Sequence, residues 1–594
     1  MARFILFATT AAVALTAGGA AFAADPLKFA PLSAPVTDKE KREVRSSSEV
    51  TVDGKTAPIG FTALVRSGDK IGEGTFGLVL DHAGKPVVGA DGAPMISNDI
   101  DFSSLLQRDG KLFVVSHFET RPAMAYVTEL VADGTGGELK AISTAPVDFS
   151  ADGGLWVPCA GSVTPWGTHL GSEEYEPDAE VIETTADITA LDDYPKPMAL
   201  YFGYDAMSAT EKPSMDGFRA VFNPYRYGYI TEISVDGEGK GTGAKHYVMG
   251  RFSHELGYVM PDQKTVYMSD DGSNVGLFRF VADAAGKLDA GTLYAAKWVQ
   301  TSAENGGAAN IEWIDLGHGS SADVKALIDK GIKFSDIFET AKMADDGTCA
   351  DGFTGSTAND VKECLKLKKG MEFAASRLET RRYAAIRGAT AEIRKEEGIT
   401  YDPDHHRLYV AISEISYGME DAAKKGKPSG AYDIPSANHI KVEYNPCGGV
   451  YALDLDDKFV ATNMKALVTG KPHKYGDDSP FAGNTCDMDG LANPDNISYV
   501  PGRNTLLIGE DTGSGHQNDA VWSMNLDTME LTRIETTPYG SETTSVYVYP
   551  NIGGHGYVMS VVQHPFGESD EDKLRSPADA KAYMGYIGPM PALD

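Results

Sequence analysis

The sequence lacks features that would assign it to several common protein classes. After the first residues, no segment is both long and apolar enough to span a bilayer, which needs about 20 such residues. Basic residues are few, with 53 Lys and Arg against 85 Asp and Glu in 594 residues, a formal net charge of -32. This charge argues against nucleic acid as a partner, because binding to a phosphate backbone depends on Lys and Arg.

Several well-known catalytic motifs are absent too. The chain has no H-E-x-x-H zinc motif, no Walker loop and no G-x-S-x-G nucleophile turn. Gly72-Glu73-Gly74 lacks the strand-to-helix setting of a dinucleotide site. Asp487-Met488-Asp489-Gly490 does not complete an EF-hand loop, so a plain turn is the better interpretation. The scattered His117, His254 and His564 are more typical of structural histidines than of metal ligands.

The first 23 residues have the pattern of a cleaved export signal. Arg3 supplies a positive n-region, residues 4–17 form an apolar stretch shorter than a membrane span, and Ala21-Phe22-Ala23 is an A-x-A cleavage site. We expect the mature protein to begin at Ala24, to be periplasmic or secreted, and to have no membrane association after cleavage. The sequence leaves the oligomeric state open.

Cysteine is scarce, and its count is odd. The five residues are Cys159, Cys349, Cys364, Cys447 and Cys486. In an exported protein, an odd number leaves at least one thiol without an internal disulfide partner. Cys349 and Cys364 lie close together in a polar segment and could pair, Cys447 with Cys486 is a looser pairing, and Cys159 is then the free thiol.

The sequence does contain a repeated strand pattern. Short apolar runs recur at 112–115, 167–170, 265–268, 408–412, 506–508 and 557–559. Four of them follow turns built from Asp, Gly or Pro, which are typical of hairpins. Spacings from roughly 50 residues to nearly three times that length predict an all-β fold, a six-bladed β-propeller with long insertions that forms a single domain over 24–594. A β-sandwich with insertions is the alternative.

Residues 317–393 interrupt this pattern. Val324, Leu327 and Ile328 have helical spacing, Ser335 stands where an N-cap would precede a further short helix, and 371–386 is rich in Ala, Arg, Glu and Leu. We expect a helical insertion at the rim of the propeller. It either covers the mouth of a site or has no catalytic part.

The segment from Cys159 to Glu174 combines residue types that bind metals. It places a thiol, a turn rich in Gly and Pro, a strand, and then the acids Glu173 and Glu174. A thiolate is a soft ligand and a carboxylate a hard one, so a site with both could hold a transition metal beside Ca²⁺. On spacing alone, a buried inert cysteine is an equal alternative.

Several segments together resemble the PhoX family of bacterial alkaline phosphatases. Residues 159–174 (CAGSVTPWGTHLGSEE) are similar to the family's C-A-G-G-x-T-P-W-G-T-W-L-T-x-E-E stretch, with His169 where the family has Trp. Further matches follow in the family's order at 250–255 (GRFSHE), 394–399 (RKEEGI), 492–496 (ANPDN), 540–544 (GSETT) and 563–565 (QHP). The resemblance covers most of the mature chain.

The resemblance implies a phosphatase that hydrolyses phosphate monoesters at a cluster of iron (Fe³⁺) and calcium (Ca²⁺) in the propeller pore. Several carboxylates in one pore would repel one another and bind protons unless cations compensated them, which favours a site with several metals. Carried over residue by residue, the ligands would be Cys159, Glu174, Glu255, Asp271, Glu397, Asp495 and Glu542.

The resemblance also implies groups that bind the phosphate. The candidates are Arg394 and Lys395; the family's arginine stands two residues before its glutamate, where this chain has Lys395. A lysine offers a point charge without the two-pronged contact of arginine. Asn98 resembles part of a family Asn-Asp element and would donate a hydrogen bond, although an Asx turn is the alternative. The metals would stabilise the phosphoryl oxygens and the leaving group, so no side-chain nucleophile is needed.

One departure from the family lies at the N-terminus, which has a single arginine in place of a twin-arginine signal and therefore predicts export by the Sec route. Two other functions also fit the residues. A calcium-dependent propeller hydrolase of the lactonase type would use the carboxylates but not the thiol. A non-catalytic secreted propeller would use the acids only for structural calcium.

Overall fold

The computed structural model describes residues 25–89, 91–133 and 136–593, and most of its regular structure is β-strand. The predicted export signal and its cleavage site lie outside these residues. Of the helices in these ranges, none combines the length and the hydropathy that crossing a bilayer requires.

Two antiparallel sheets come first along the chain. Sheet A contains Ile100–Arg108, Lys111–Phe118, Ala125–Asp133 and Glu138–Pro146, in that order across the sheet. Sheet B contains Pro158–Val163, His169–Glu173, Ile230–Val235 and Gly241–Lys245.

Sheet C is the largest and has nine strands. It runs from His254–Val259 through Thr265–Asp270, Phe278–Ala284, Lys287–Ser302, Ala308–Ser320, Asn463–Thr469, Gly449–Asp454 and Arg407–Ile412 to Glu396–Asp402. We call a series of antiparallel strands that follow one another along the chain a hairpin set. The two end strands of sheet C, His254–Val259 and Glu396–Asp402, each begin such a set.

Two further sheets complete the series. Sheet D contains Pro494–Val500, Thr505–Glu510, Ala520–Asn525, Leu531–Thr536 and, at its edge, Arg45–Ser46. Sheet E contains Glu542–Ile552, His555–Gln563, Tyr583–Pro591 and Gly60–Arg66, so its fourth strand comes from the other end of the described chain. The shorter strands are Lys28–Phe29, Glu49–Val52, Lys55–Pro58, Lys70–Ile71, Gly74–Thr75, Ser273–Val275, Ile393–Arg394, Ala423–Lys424 and Lys427–Pro428.

Six strands begin the hairpin sets, and we call them the inner strands. They are Ile100–Arg108, Pro158–Val163, His254–Val259, Glu396–Asp402, Pro494–Val500 and Glu542–Ile552. Each contacts the next in this order, and Glu542–Ile552 also contacts Ile100–Arg108. Apolar side chains fill the space between sheets; Phe113 of sheet A packs with Ile233 of sheet B, and Tyr409 of sheet C with Leu506 of sheet D.

The repeated runs that the sequence indicates are strands. Five of them lie in the second strands of the hairpin sets, and four of these five follow the predicted turns. The run at 167–170 is a strand only from His169, because Thr164 to Gly167 form the turn before it, with Gly167 N–H donating to the Thr164 oxygen at 2.8 Å.

The segment expected to be a helical insertion at about 317–393 contains strands as well as helices. The α-helices of the described ranges are α1 (Ala179–Thr184), α2 (Met215–Val221), α3 (Ser321–Asp329), α4 (Phe334–Ile337), α5 (Glu372–Leu378) and α6 (Thr380–Ile386). Between α4 and α5, Phe338–Ala341, Thr354–Ser356 and Glu363–Leu367 form a three-stranded sheet. Ser335 is not an N-cap, because α4 begins at Phe334 and the Ser335 hydroxyl donates to Glu183.

Both expected disulfides are formed. Cys349, which lies between Phe338–Ala341 and Thr354–Ser356, is bonded to Cys364 of Glu363–Leu367, and Cys447 is bonded to Cys486. Cys159 is a free, buried thiol.

Two buried acids at the ends of second strands hold the loops around their inner strands. The Glu173 carboxylate accepts hydrogen bonds from Trp156 N–H (2.9 Å) and Gly228 N–H (3.0 Å), and pairs with Lys245 Nζ at 2.7 Å. Both charged side chains are fully buried. In sheet D, Glu510 has the same role, and accepts from Ala492 N–H at 2.9 Å and Trp522 Nε1 at 2.7 Å.

We expect Lys245→Met to lower the free energy of unfolding by about 3–5 kcal/mol, because it leaves a buried carboxylate without its charge partner. Adding Glu173→Gln should restore part of this loss. Lys111→Ala is the control, since its pair with Glu129 at 3.3 Å is on the surface and should contribute about 0–1 kcal/mol. Urea unfolding followed by tryptophan fluorescence measures all of these variants. Equal stability of the Lys245→Met and Lys111→Ala variants would contradict the prediction.

Candidate metal centre

Five inner strands present a metal-ligand side chain at the same place, a β-bulge. In sheet A, Ile100 pairs with Phe118 and Ser103 with Ser116, so the inner strand has one residue more than its partner, and Asp101 begins the bulge. A bulge of this kind redirects the side chain beside it. The equivalent irregularities in the next four inner strands follow directly after Pro158, His254, Glu396 and Pro494, and begin with Cys159, Glu255, Glu397 and Asp495. In sheet E the bulge begins with Ser545.

A second set of acids follows the second strands. Glu119, Glu174, Asp271 and Asp511 each come directly after a strand that pairs with an inner strand at its bulged end. In each of these sheets the bulge of the inner strand lies opposite the end of the second strand. Both sets of side chains therefore face one space.

Except for Asp101 and Ser545, these side chains line one cavity of about 330 Å³. Ten carboxyl groups surround it, and Lys395 and His564 are the basic groups among the residues that line it. The lining residues are Asp99, Glu119, Cys159, Glu174, Tyr175, Glu255, Asp271, Lys395, Glu397, Asp495, Asp511, Glu542, Gln563, His564 and Glu568.

Potential metal donors come close together in three overlapping groups. In each group the donor atoms lie within 4.8 Å of one another; the groups are Asp101 with Glu119 and Cys159, Cys159 with Glu174 and Glu255, and Glu255 with Glu397 and Asp495. Cys159 Sγ is 3.4 Å from both Asp101 Oδ2 and Glu255 Oε1. Because Cys159 and Glu255 each belong to two groups, the three form one continuous cluster.

Without cations this cluster would hold protons. Burial first, and then repulsion from neighbouring carboxylates, raises the pKa well above its ordinary value in Asp101, Glu174, Glu255, Glu397 and Glu542. Burial raises the pKa of Glu119 and of Asp495 to about 7. Burial and the nearby Asp101 and Glu255 also raise the pKa of the Cys159 thiol.

The donor set fits a group of cations. Asp101 Oδ1, Asp271 Oδ1 and Asp495 Oδ1 are buried, and no residue of the described ranges donates a hydrogen bond to them. A buried carboxylate oxygen without a partner is costly, and a metal ion provides the missing partner. One thiol among many carboxylates matches a site that combines a softer transition metal with hard cations such as Ca²⁺.

Lys395 lies inside this cavity, whereas Arg394 turns away from it. Lys395 Nζ is 3.2 Å from Glu397 Oε1, 3.2 Å from Asp511 Oδ2 and 4.0 Å from Asp271 Oδ2. Burial alone would lower the pKa of Lys395, but these carboxylates outweigh it and raise the pKa well above its ordinary value. Arg394 donates instead to Ser273 Oγ at 2.8 Å and to Glu414 Oε2 at 3.2 Å.

Asn98 and Glu542 come together near His564. The Asn98 main-chain oxygen accepts from His564 N–H at 3.0 Å, and the next residue, Asp99, lines the cavity. His564 Nε2 is 3.4 Å from Glu542 Oε2 and 3.6 Å from Glu568 Oε1. The structure thus brings all seven predicted ligands and Lys395 to one cavity, with Asn98 beside it.

Reasoning from the sequence missed Asp101, Glu119 and Asp511, and it treated His564 as structural. A signal for Glu119 and Asp511 was present, because each follows an apolar strand run as Asp271 does. Asp101 could have been found only from the strand register, since its equivalence to Cys159 depends on the bulge.

Comparisons with known proteins found similarity over most of the chain. A family model described as alkaline phosphatase PhoX matches residues 108–565. The solved structure of Pseudomonas fluorescens PhoX in complex with vanadate, a transition state analogue, is similar with a TM-score of 0.58 and 18% sequence identity, over 95% of this chain and 98% of that chain. No curated protein sequence matches the chain.

Similarity to two solved lactonase structures is much weaker. The periplasmic gluconolactonase PpgL of Pseudomonas aeruginosa has 9% identity and a TM-score of 0.30, over 76% of this chain and 90% of that chain. A putative 6-phosphogluconolactonase from Bacteroides uniformis has 12% identity and a TM-score of 0.27, over 76% of this chain and 88% of that chain.

The raised carboxyl pKa values predict how the metal-free protein responds to pH. Its folded state binds more protons than the unfolded chain, whose carboxyl pKa values are about 4, so the stabilisation is present at low pH and is lost as pH rises through the folded pKa values. With Glu119 and Asp495 at about 7, the melting temperature of chelated protein should fall between about pH 5 and 8.

In metal-loaded protein, cations balance the carboxylates, and this fall should be absent. Glu119→Gln should flatten the slope for chelated protein, whereas Glu129→Gln, on the surface of the same sheet, should not. Differential scanning calorimetry across the pH range measures the effect. A melting temperature of chelated protein that rises with pH would exclude a proton-loaded cluster.

Proposed function

The chain belongs to the PhoX alkaline phosphatase family, and we propose that it hydrolyses phosphate monoesters at a cluster of iron and calcium ions in the cavity between its inner strands. The observation that carries this proposal is the convergence on one buried space of Cys159 with carboxylates from four other β-bulges and from neighbouring strand ends. A calcium site that only stabilises the fold needs oxygen ligands, and it needs neither a thiol nor this many carboxylates.

The proposed fold is a closed six-bladed propeller formed by residues 24–594 as one domain. Sheet C would supply two blades, one from each end, and sheets A, B, D and E one each. The succession of contacts between the inner strands, including that between Glu542–Ile552 and Ile100–Arg108, supports closure. The insertion at 317–393 would lie outside the blades.

The predicted ligands would hold the cluster together, with Asp101 as an addition to them. When bound, the cations would supply Lewis-acid stabilisation of the phosphoryl oxygens and of the departing alkoxide. The protein contributes a rigid frame, because each ligand comes from a bulge or a strand end and none from a long loop. The ligands are Cys159, Glu174, Glu255, Asp271, Glu397, Asp495, Glu542 and Asp101.

Lys395 would bind a phosphate oxygen. Its ammonium group lies in the cavity, and Glu397 and Asp511 hold it in place at 3.2 Å each, so it presents a fixed positive charge to a dianionic ester. Asn98 would donate a further hydrogen bond from the side of His564. Arg394, bonded to Ser273 and Glu414, would act from outside the cavity.

We also propose that the protein works in the periplasm or outside the cell. The predicted signal supports this, as do the two disulfides, because such bonds persist in oxidising compartments. Small phosphate esters would be the substrates.

Hydrolysis of p-nitrophenyl phosphate by metal-replete protein tests the function. Activity should disappear with EGTA and a strong iron chelator and return when Ca²⁺ and iron are restored, and metal analysis of native protein should find both elements. A metal-replete protein that leaves phosphate monoesters intact but opens a lactone in the presence of Ca²⁺ alone would overturn the proposal in favour of a lactonase.

We expect Lys395→Ala to lower kcat for p-nitrophenyl phosphate by about 10²–10³-fold, as removal of one electrostatic donor at a transition state does. Lys395→Arg should retain much of the activity, because it keeps the charge. Lys111→Ala, the exposed control, should leave kcat unchanged. An unchanged kcat in Lys395→Ala protein would remove this lysine from the site.

A further inference from the structure

A chain of hydrogen bonds leads from sheet A to the main chain of Cys159. Ser104 Oγ is 2.8 Å from His169 Nδ1, His169 Nε2 is 3.0 Å from His117 Nδ1, and His117 Nε2 bonds to the carbonyl oxygen of Cys159. All four ring nitrogens of the two histidines are used in this chain. None of these bonds involves a side chain that lines the metal cavity.

The chemistry of the last acceptor fixes the direction of every bond. A carbonyl oxygen can only accept, so His117 Nε2 carries a proton. In a neutral imidazole the other nitrogen then accepts, and His117 Nδ1 therefore takes its hydrogen bond from His169 Nε2. By the same reasoning His169 Nδ1 accepts from the Ser104 hydroxyl. Each neutral ring thus has a single tautomer that satisfies all of its neighbours.

Burial makes the neutral forms the stable ones. Ser104 and His169 have no exposed surface, and His117 is 1% exposed. Phe102 packs beside both rings, at 5.3 Å from the His169 ring and 6.2 Å from the His117 ring. A buried imidazolium is unfavourable without an anionic partner, and the ring nitrogens here face only each other, a hydroxyl and a carbonyl.

The position of Cys159 explains what the chain of bonds does. Cys159 stands in the bulge between the Pro158–Glu173 and Gly161–Gly171 pairs, where a residue lacks the direct partner of a regular ladder. His117 reaches its carbonyl from the neighbouring sheet, across Gly171. A Cβ atom at Gly171 would come within 2.8 Å of His117 Nδ1, so this approach requires glycine.

We propose that Ser104, His169 and His117 are positioning residues, which hold the main chain of Cys159 at its bulge and thereby fix the direction of the thiol toward the metal cluster. The proposal rests on the proposed function only in taking Cys159 as a metal ligand.

The first test is the tautomeric state of the two rings. Protein labelled with ¹⁵N-histidine and freed of metal should show both His117 and His169 as neutral Nε2–H tautomers, with the signals assigned from His117→Gln and His169→Gln variants. An Nδ1–H tautomer or a charged ring at either position in the wild-type protein would overturn the proposal. Because this measurement needs neither metal nor activity, it holds even if the chain proves not to be an iron-dependent phosphatase.

The second test separates the hydrogen bonds from the packing. His169→Phe keeps an aromatic ring but cannot donate to His117, whereas His169→Gln places an amide N–H near the same point. By analogy with partners that orient metal ligands, we expect about 10- to 100-fold weaker iron binding in His169→Phe protein. In His169→Gln protein it should stay close to the wild-type affinity. Equal iron loss in both variants, or loss in neither, would contradict the proposal.

Serine variants provide a matched control. Ser104→Ala removes the donor to His169 Nδ1, so the ¹⁵N signal of that nitrogen should shift while both rings keep the Nε2–H tautomer. Ser162 is equally buried and donates to the Gly257 oxygen at 2.7 Å, away from the two histidines. Ser162→Ala should leave the histidine signals and the iron content unchanged. An equal shift of the histidine signals in both serine variants would contradict the proposal.

Discussion

Mutual repulsion among buried carboxylates is the constraint on which this structure depends. Ten carboxyl groups line a cavity of about 330 Å³ in which Lys395 and His564 are the basic lining residues. Such a group is stable only if protons or cations neutralise it. Because burial makes an isolated charge unfavourable, the protein must either give up the negative charge or bind metal, and its pKa values shift accordingly.

The fold meets this constraint by repeating one local device. Three hairpin sets, those that begin with Pro158–Val163, His254–Val259 and Pro494–Val500, each bring two side chains to the cavity, one from a bulge in the inner strand and one from the residue after the second strand. The neighbouring acid, such as Glu173 or Glu510, turns the other way and binds main-chain N–H groups, which makes the strand end rigid. Of the two adjacent acids at such a strand end, one therefore stabilises the loops and the other lines the cavity.

Much of this could be predicted from sequence, but not the register. Cys159, Glu255 and Glu397 lie in motifs long enough to be recognised, and the second strands follow clear turns. Asp101 has no such motif, and its role depends on which residues of two strands pair, which local patterns do not specify. Likewise α5 and α6 follow helical composition, whereas the three-stranded sheet of the insertion has strands of three to five residues, too short for a periodic signal. Arg394 and Lys395 are adjacent basic residues, and only the backbone decides which one enters the cavity.

The pairing of Gly60–Arg66 with Tyr583–Pro591 has a consequence for the order of folding. Sheet E also carries Glu542 and Gln563, which precedes His564, so part of the cavity wall is made from the last quarter of the chain. During synthesis, the early strand must wait for a partner that emerges more than 500 residues later. A chain delivered through a channel from its N-terminal end would therefore complete its metal cavity only after nearly all of it had crossed, on the side where the ions are then captured.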